Sequence, residues 1–224
     1  MKKYSVLMLL FLFIVILGYT IVHSQENTTL VKKKIEYKIE KDTKLPFDEL
    51  SGIWQVVPIE SEKPEIYVLT QKLKYLDFSK YLSKTSYYDF TYRARFYITP
   101  SNKDDQAAGL IFRFRNSFKY YMVYADAKDD EIDLIRNNYG KKIIHKEKHP
   151  IDTDKWYTLA VQCTLETITV SLDDKVLFTL NDKTSTGGKI GLTVYKESKA
   201  YFKDILIDTE VVEIGEDLKA QETK

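Results

Sequence analysis

Apolar and polar residues alternate with a period of two through most of this chain, and no other feature limits its fold so sharply. Asp89–Ile98 sets Phe90, Tyr92, Ala94, Phe96 and Ile98 on one side and Thr91, Arg93, Arg95 and Tyr97 on the other. Neighbouring strand residues point to opposite faces, so such a run lays one face on a core and wets the other; a helix would scatter it around its circumference. The pattern returns in Ala108–Arg115, where Leu110, Phe112 and Phe114 oppose Ile111, Arg113 and Arg115. Phe118–Ala125 groups Phe118, Tyr120, Met122 and Tyr124, and Trp156–Cys163 groups Tyr157, Leu159, Val161 and Cys163. Asn137-Asn138-Tyr139-Gly140 and Asp173-Asp174-Lys175 supply turns between runs. About ten to twelve short strands at this spacing predict an all-β sandwich or barrel, not a βαβ fold. Leu73–Leu82 is the one helix candidate.

The two ends read differently. Lys2 and Lys3 precede an apolar run from Val6 to Val22, so residues 1–24 read as a signal peptide forming a hydrophobic helix, or as an uncleaved anchor. Residues 25–44 are a polar linker or a first edge strand, on which Ile35, Tyr37 and Ile39 alternate. The sandwich is expected over 45–208 and a frayed polar tail over 209–224. Either reading of the leader places the rest in an extracytoplasmic space (periplasmic, cell-surface or secreted), with membrane contact only through an uncut N-terminal segment. With 34 Lys+Arg against 33 Asp+Glu the chain has no bulk positive field, so nucleic acid is not an expected partner. The lone Cys163 makes neither an internal disulfide nor a thiolate zinc cage, and its phase puts it inside as a small hydrophobe.

The order Trp156-Tyr-Thr-Leu, Ile168-Thr-Val-Ser-Leu-Asp-Asp, Gly188-Lys-Ile-Gly-Leu and Tyr201-Phe-Lys-Asp-Ile-Leu-Ile resembles the concanavalin A-like lectin/glucanase superfamily. Within it the similarity is greatest to the laminin G-like and 3-keto-disaccharide hydrolase-type domains. Upstream, Asp89-Phe-Thr-Tyr-Arg-Ala-Arg-Phe, Gly109-Leu-Ile-Phe-Arg-Phe and Tyr120-Tyr-Met-Val extend the resemblance, which runs from about Phe47 to Ile207. It implies a two-sheet antiparallel jelly-roll sandwich with a concave face where relatives bind glycans. It specifies fold and says little of function, because that jelly roll carries lectins, glycosidases, adhesion modules and structural parts.

Candidate site residues follow from strand parity. Glu131-Ile132-Asp133 resembles the Glu-x-Asp-x-x-Glu strand of retaining glucanases, whose chemistry needs two carboxyl groups about 5–5.5 Å apart. Arg136, or Ile135 under the shorter spacing, stands where the acid/base is required, so no catalytic residue is assigned. The plainer reading has Ile132 and Leu134 in the core and Glu131 and Asp133 solvated. Arg93 with Arg95, and Arg113 with Arg115, each project from one strand face. If the two strands are neighbours, these guanidiniums form one ligand-binding patch with Tyr97, Lys119 and Tyr121, suited to acidic or hydroxyl-rich glycans or to acidic protein surfaces. Replacing Arg93 and Arg113 by Ala should then abolish ligand retention without unfolding. Trp54 and Trp156 read as packing residues. His145 and His149 lack the flanking Glu of a zinc helix. Asp204 occupies a position that, by the resemblance, supports a structural Ca²⁺ in some relatives; no other cofactor is expected.

Three functions fit. One is a non-catalytic module that binds carbohydrate or a glycoconjugate on the concave sheet face. Another is a structural or assembly protein contacting partners in the periplasm, the envelope or a surface appendage. The third is a glycoside hydrolase-like enzyme, which the missing second carboxylate argues against. Exposed aromatic rings lining a groove would favour sugar; a flat charged face with an apolar margin would favour protein.

Overall fold

The computed structural model describes residues 28–59, 65–72, 77–101 and 106–214, so the leader assigned to residues 1–24 lies outside the described residues. The strands are, in order, β1 Thr28–Tyr37, β2 Phe47–Ser51, β3 Trp54–Ile59, β4 Ile66–Gln71, β5 Phe78–Tyr87, β6 Phe90–Ile98, β7 Ala107–Asn116 and β8 Lys119–Asp126. They continue as β9 Glu131–Asn138, β10 Lys141–Lys148, β11 Trp156–Thr164, β12 Thr167–Leu172, β13 Lys175–Asn181, β14 Gly188–Tyr195 and β15 Ala200–Ile214. Among the described residues there is no helix. The chain divides into two units; of the described residues, 33–209 belong to one and 28–32 with 210–214 to the other.

Two antiparallel sheets make a jelly-roll sandwich. One runs β13-β12-β11-β6-β15-β4-β3, with β1 pairing β15; the other runs β10-β9-β8-β7-β14-β5-β2. The five apolar residues of β6 are all buried between them, with Leu159, Val161 and Cys163 of β11 and Leu192 of β14. Each large side chain so removed from water contributes about 1.5–3 kcal/mol, which is why the alternation sets the fold. Asp173 and Asp174, both at positive φ, close β12 onto β13 in a two-residue hairpin.

Three expectations change. Residues 78–82 of the helix candidate are strand, in β5, and 73–76 lie outside the described residues. Phe78 and Leu82 are four apart, a spacing that shares a face in a strand as well as in a helix, and the ladder to β14 decides between them. Beyond Asp208 the chain is not a frayed tail at once: Thr209 still pairs Phe90, and β15 runs to Ile214. In β7 the alternation breaks at Arg113, which sits at φ 48° in a bulge. Phe112 faces the core between the sheets, and Phe114 joins a second cluster with Ile111, Tyr120 and Met122 on the sheet's outer side.

Candidate functional site

The outer side of the β10-to-β2 sheet collects the acidic candidates. Along β9, Ile132 and Leu134 enter the core, whereas Glu131, Asp133, Ile135 and Asn137 share the outer side with Tyr120, Met122 and Tyr124 of β8. Glu131 and Asp133 are buried, at 5% and 2% exposure, not solvated as strand parity suggested. The β10 lysines cover them: Lys146 bonds Glu131 and lies 3.5 Å from Asp133, and Lys148 reaches Glu131 at 3.1 Å. Tyr124 donates to Asp133 at 2.9 Å. Burial and then Asp133 push the Tyr124 hydroxyl pKa far up. The Lys146 hydrogen bond holds the Glu131 carboxyl below the usual carboxylate range, the reverse of what a general acid needs. The next place on this side is occupied by apolar Ile135.

The four arginines do not form one patch. β6 and β7 belong to different sheets, so the condition of neighbouring strands fails. Arg93 and Arg95 stand on the outer side of the β13-to-β3 sheet. Each has an acid opposite on β15: Arg93 with Asp208 at 3.2 Å, and Arg95 with Asp204 at 3.5 Å. Tyr97 packs between Trp156 and Tyr201 and bonds Asp154, while Lys203 lies 4.4 Å from the Trp156 ring. Trp54 is buried against Tyr81. Asp204, at positive φ, already faces a guanidinium, so a calcium ion there would compete with Arg95. His145 packs 3.9 Å from the Phe178 ring. Among the described residues no three His, Cys, Asp or Glu side chains group to hold a metal ion.

Arg113 points inward. It has 0% exposure, and Nη2 donates to the carbonyls of Leu165 at 2.5 Å and Thr167 at 3.4 Å. The guanidinium lies 5.7 Å from the Tyr121 ring and beside the Cys163 thiol. Replacing Arg113 would open a hole in the core, so it cannot serve as a test of surface binding. Arg115, past the bulge, is exposed and donates from Nε to the Gly187 carbonyl at 3.0 Å.

Arg115 belongs to a pocket of about 350 Å³ where β7, β8 and β9 meet the 183–186 loop. Lys119, Tyr120, Tyr121, Asn137, Asn138 and the Lys183-Thr184-Ser185-Thr186 run complete it. Asp182 anchors that loop: it accepts from the Thr184 amide at 2.8 Å and from Arg136 at 2.7 Å. Burial opposes charging Asp182, but the bonds from Thr184 and Arg136 prevail and hold its pKa below the usual value. Burial, and then the adjoining Asp182, raise the Tyr121 hydroxyl to about 12. At Gly188 (φ 151°) an added Cβ would stand 2.5 Å from the Phe114 carbonyl, so glycine lets the loop return beside the β7 bulge. Beside the pocket, Phe118 and Tyr139 are 61% and 72% exposed and stack at 6.1 Å with planes 11° apart. The Tyr139 amide donates to the Phe118 carbonyl at 2.8 Å, and Tyr139 holds φ 57°, a strained value for a bulky residue.

The sequence profile of the 3-keto-alpha-glucoside-1,2-lyase-like domain matches residues 68–208, which include the whole pocket. The chain belongs to that family. Over 127 residues this 3-keto-alpha-glucoside-1,2-lyase-like domain is 31% identical to a levanase of Bacillus subtilis (strain 168), covering 55% of this chain and 18% of the levanase. The chain therefore spans less than a fifth of that enzyme's length. Among solved structures, a carbohydrate binding module, CBM66 from Bacillus subtilis, superposes with a TM-score of 0.63 at 25% identity, over 74% of this chain and 96% of the module. A beta-glucanase of Bacillus licheniformis superposes at 0.55 with 9% identity, over 79% and 97%, which shows the shared fold alone.

Of the residues singled out by sequence, the pocket gathers Arg115 and Tyr121 with Lys119. Arg93, Arg95 and Tyr97 lie on the other sheet, Glu131 and Asp133 farther along the outer side, and Arg113 inside. Phe118, Tyr139, Asn138 and the 183–186 loop were missed. The signal available was two polar or small-residue turns carrying an exposed ring, at Ser117-Phe118 and Tyr139-Gly140; only the pairing of β8 with β9 brings them together.

Proposed function

We propose that this domain is a non-catalytic carbohydrate-binding module that works outside the cytoplasm. Its glycan lies in the pocket of Arg115, Lys119, Asn138 and the 183–186 loop, beside the Phe118–Tyr139 platform. The observation that carries the reading is that pair of exposed, stacked rings bordering a hollow lined by hydroxyl, amide and cationic groups. Sugar rings present apolar C–H faces and a hydroxyl rim, which such a combination matches, and small-ligand sites combine apolar walls with a few placed polar groups. Kinship with a levanase and with a carbohydrate binding module supports the same class of ligand. The export-like N-terminus supports the location.

Affinity gels containing levan and a panel of other soluble polysaccharides, run with the full-length chain, test the reading. The chain should be retarded by at least one gel. The Phe118→Ala/Tyr139→Ala variant, with an unchanged circular dichroism spectrum, should bind about tenfold more weakly through lost stacking. Retardation by no glycan, or equal retardation of the variant, would overturn it.

A further inference from the structure

The charge of the pocket narrows its ligand, on the footing that the pocket takes a glycan. Its lining presents Arg115, Lys119 and Lys183 and no carboxylate. Lys183 reaches Glu166 at 3.4 Å on the surface. Arg115 has only the Gly187 carbonyl and Lys119 only the Tyr139 ring, 5.0 Å from its ammonium; neither has a carboxylate partner among the described residues. Asp182, beneath the loop, is taken up by Arg136 and the Thr184 amide.

Behind the Tyr121 ring lies Arg113, fully buried, with Nη2 on two carbonyls and the Cys163 thiol beside the guanidinium. A guanidinium stays charged, and at 0% exposure it is poorly screened by bulk solvent, so its field adds to the positive potential on the pocket side of Tyr121. Rim cations without a carboxylate partner, with a buried guanidinium behind them, make a site for negative charge. The guanidinium fork in particular fits two oxygens of one carboxylate, sulfate or phosphate. A sugar carrying hydroxyls alone would leave these charges uncompensated.

We infer that the glycan bound here carries anionic substituents, held by Arg115 and Lys119. Titration calorimetry of the full-length chain against matched pairs tests this: levan with sulfated levan, esterified pectin with polygalacturonate, and dextran with its carboxymethyl, sulfate and phosphate derivatives. The derivatives tell the three anions apart. At least one anionic member should bind about tenfold more tightly than its neutral partner, the worth of one charge-assisted contact. The Arg115→Gln/Lys119→Gln variant should lose that difference. Lys119→Gln alone keeps the Arg115–Gly187 bond that supports the loop and should lose part of it, while Arg115→Lys keeps charge without the fork and should also lose part. Neutral members bound as tightly as anionic ones, or a preference that survives the double variant, would overturn the inference and leave the glycan reading standing. Binding of no member would overturn both.

Discussion

Two arginine pairs with the same sequence spacing end in opposite electrostatic states. Arg93 and Arg95 on β6 each face an aspartate of β15, and the hollow of about 200 Å³ beside them contains one of those acids, Asp204. Arg113 and Arg115 on β7 have no ion-pair partner among the described residues: one is sealed in the core with its Nη2 on carbonyls, and the other opens on a pocket whose lining has no carboxylate. Matched surface pairs of the first kind contribute about 0–1 kcal/mol and leave little charge for a ligand. Unmatched cations of the second kind keep theirs. A count of basic residues would rate the two regions alike; the strand opposite each pair sets them apart.

The largest effect that would break this comparison is on stability. Arg113→Ala removes a fully buried side chain and should cost about 3 kcal/mol or more in urea unfolding, by analogy with large-to-small core changes, whereas Arg95→Ala should cost under about 1 kcal/mol. Equal costs would place Arg113 at the surface. Next comes ligand binding: Arg93→Ala/Arg95→Ala should leave glycan affinity within about twofold, since each arginine is already neutralised by its aspartate. A tenfold loss would move the site to the other sheet.

The pocket's anchor gives a smaller, pH-dependent effect. The pKa of Asp182 is lowered by folding, so its contribution is full above the unfolded value of about 3.9 and disappears as pH falls through the folded value. Asp182→Asn should therefore cost about 1–2 kcal/mol at pH 7, the scale of charged hydrogen bonds. The two stability curves should converge below about pH 4; a constant gap down to pH 2 would show that the carboxylate charge is not what holds the loop. Smallest is the thiol beside Arg113. Burial lifts Cys163 to about 12 despite that guanidinium, so at pH 8 it should react with maleimide only after unfolding. Prompt labelling would mean that the core around Arg113 admits solvent.

The sandwich was legible because alternation along β6, β11 and β12 is unbroken, and every residue it places inside is inside. Legibility stopped where parity slips. The bulge at Arg113 reversed Phe114 and took an arginine off the surface, and no local residue pattern announces the one-residue excess of β7 over β14 there. Glu131 and Asp133 have the right parity for a wet face, yet β10 lysines lie over them, which depends on a register shift between Ile143 and His145. The patch imagined across β6 and β7 failed on topology, because these two strands, though consecutive, lie in opposite sheets. The platform escaped notice because Phe118 and Tyr139 are twenty-one positions apart and meet only through a ladder.

Tyr139 holds its ring outward on a left-handed backbone that asparagine or glycine would adopt more easily. A substitution there can gain stability while losing grip. Selection for heat tolerance alone should therefore erode this position early, and a hardened descendant with Asn or Gly at 139 would be the sign that the ring had been kept for its work rather than for the fold.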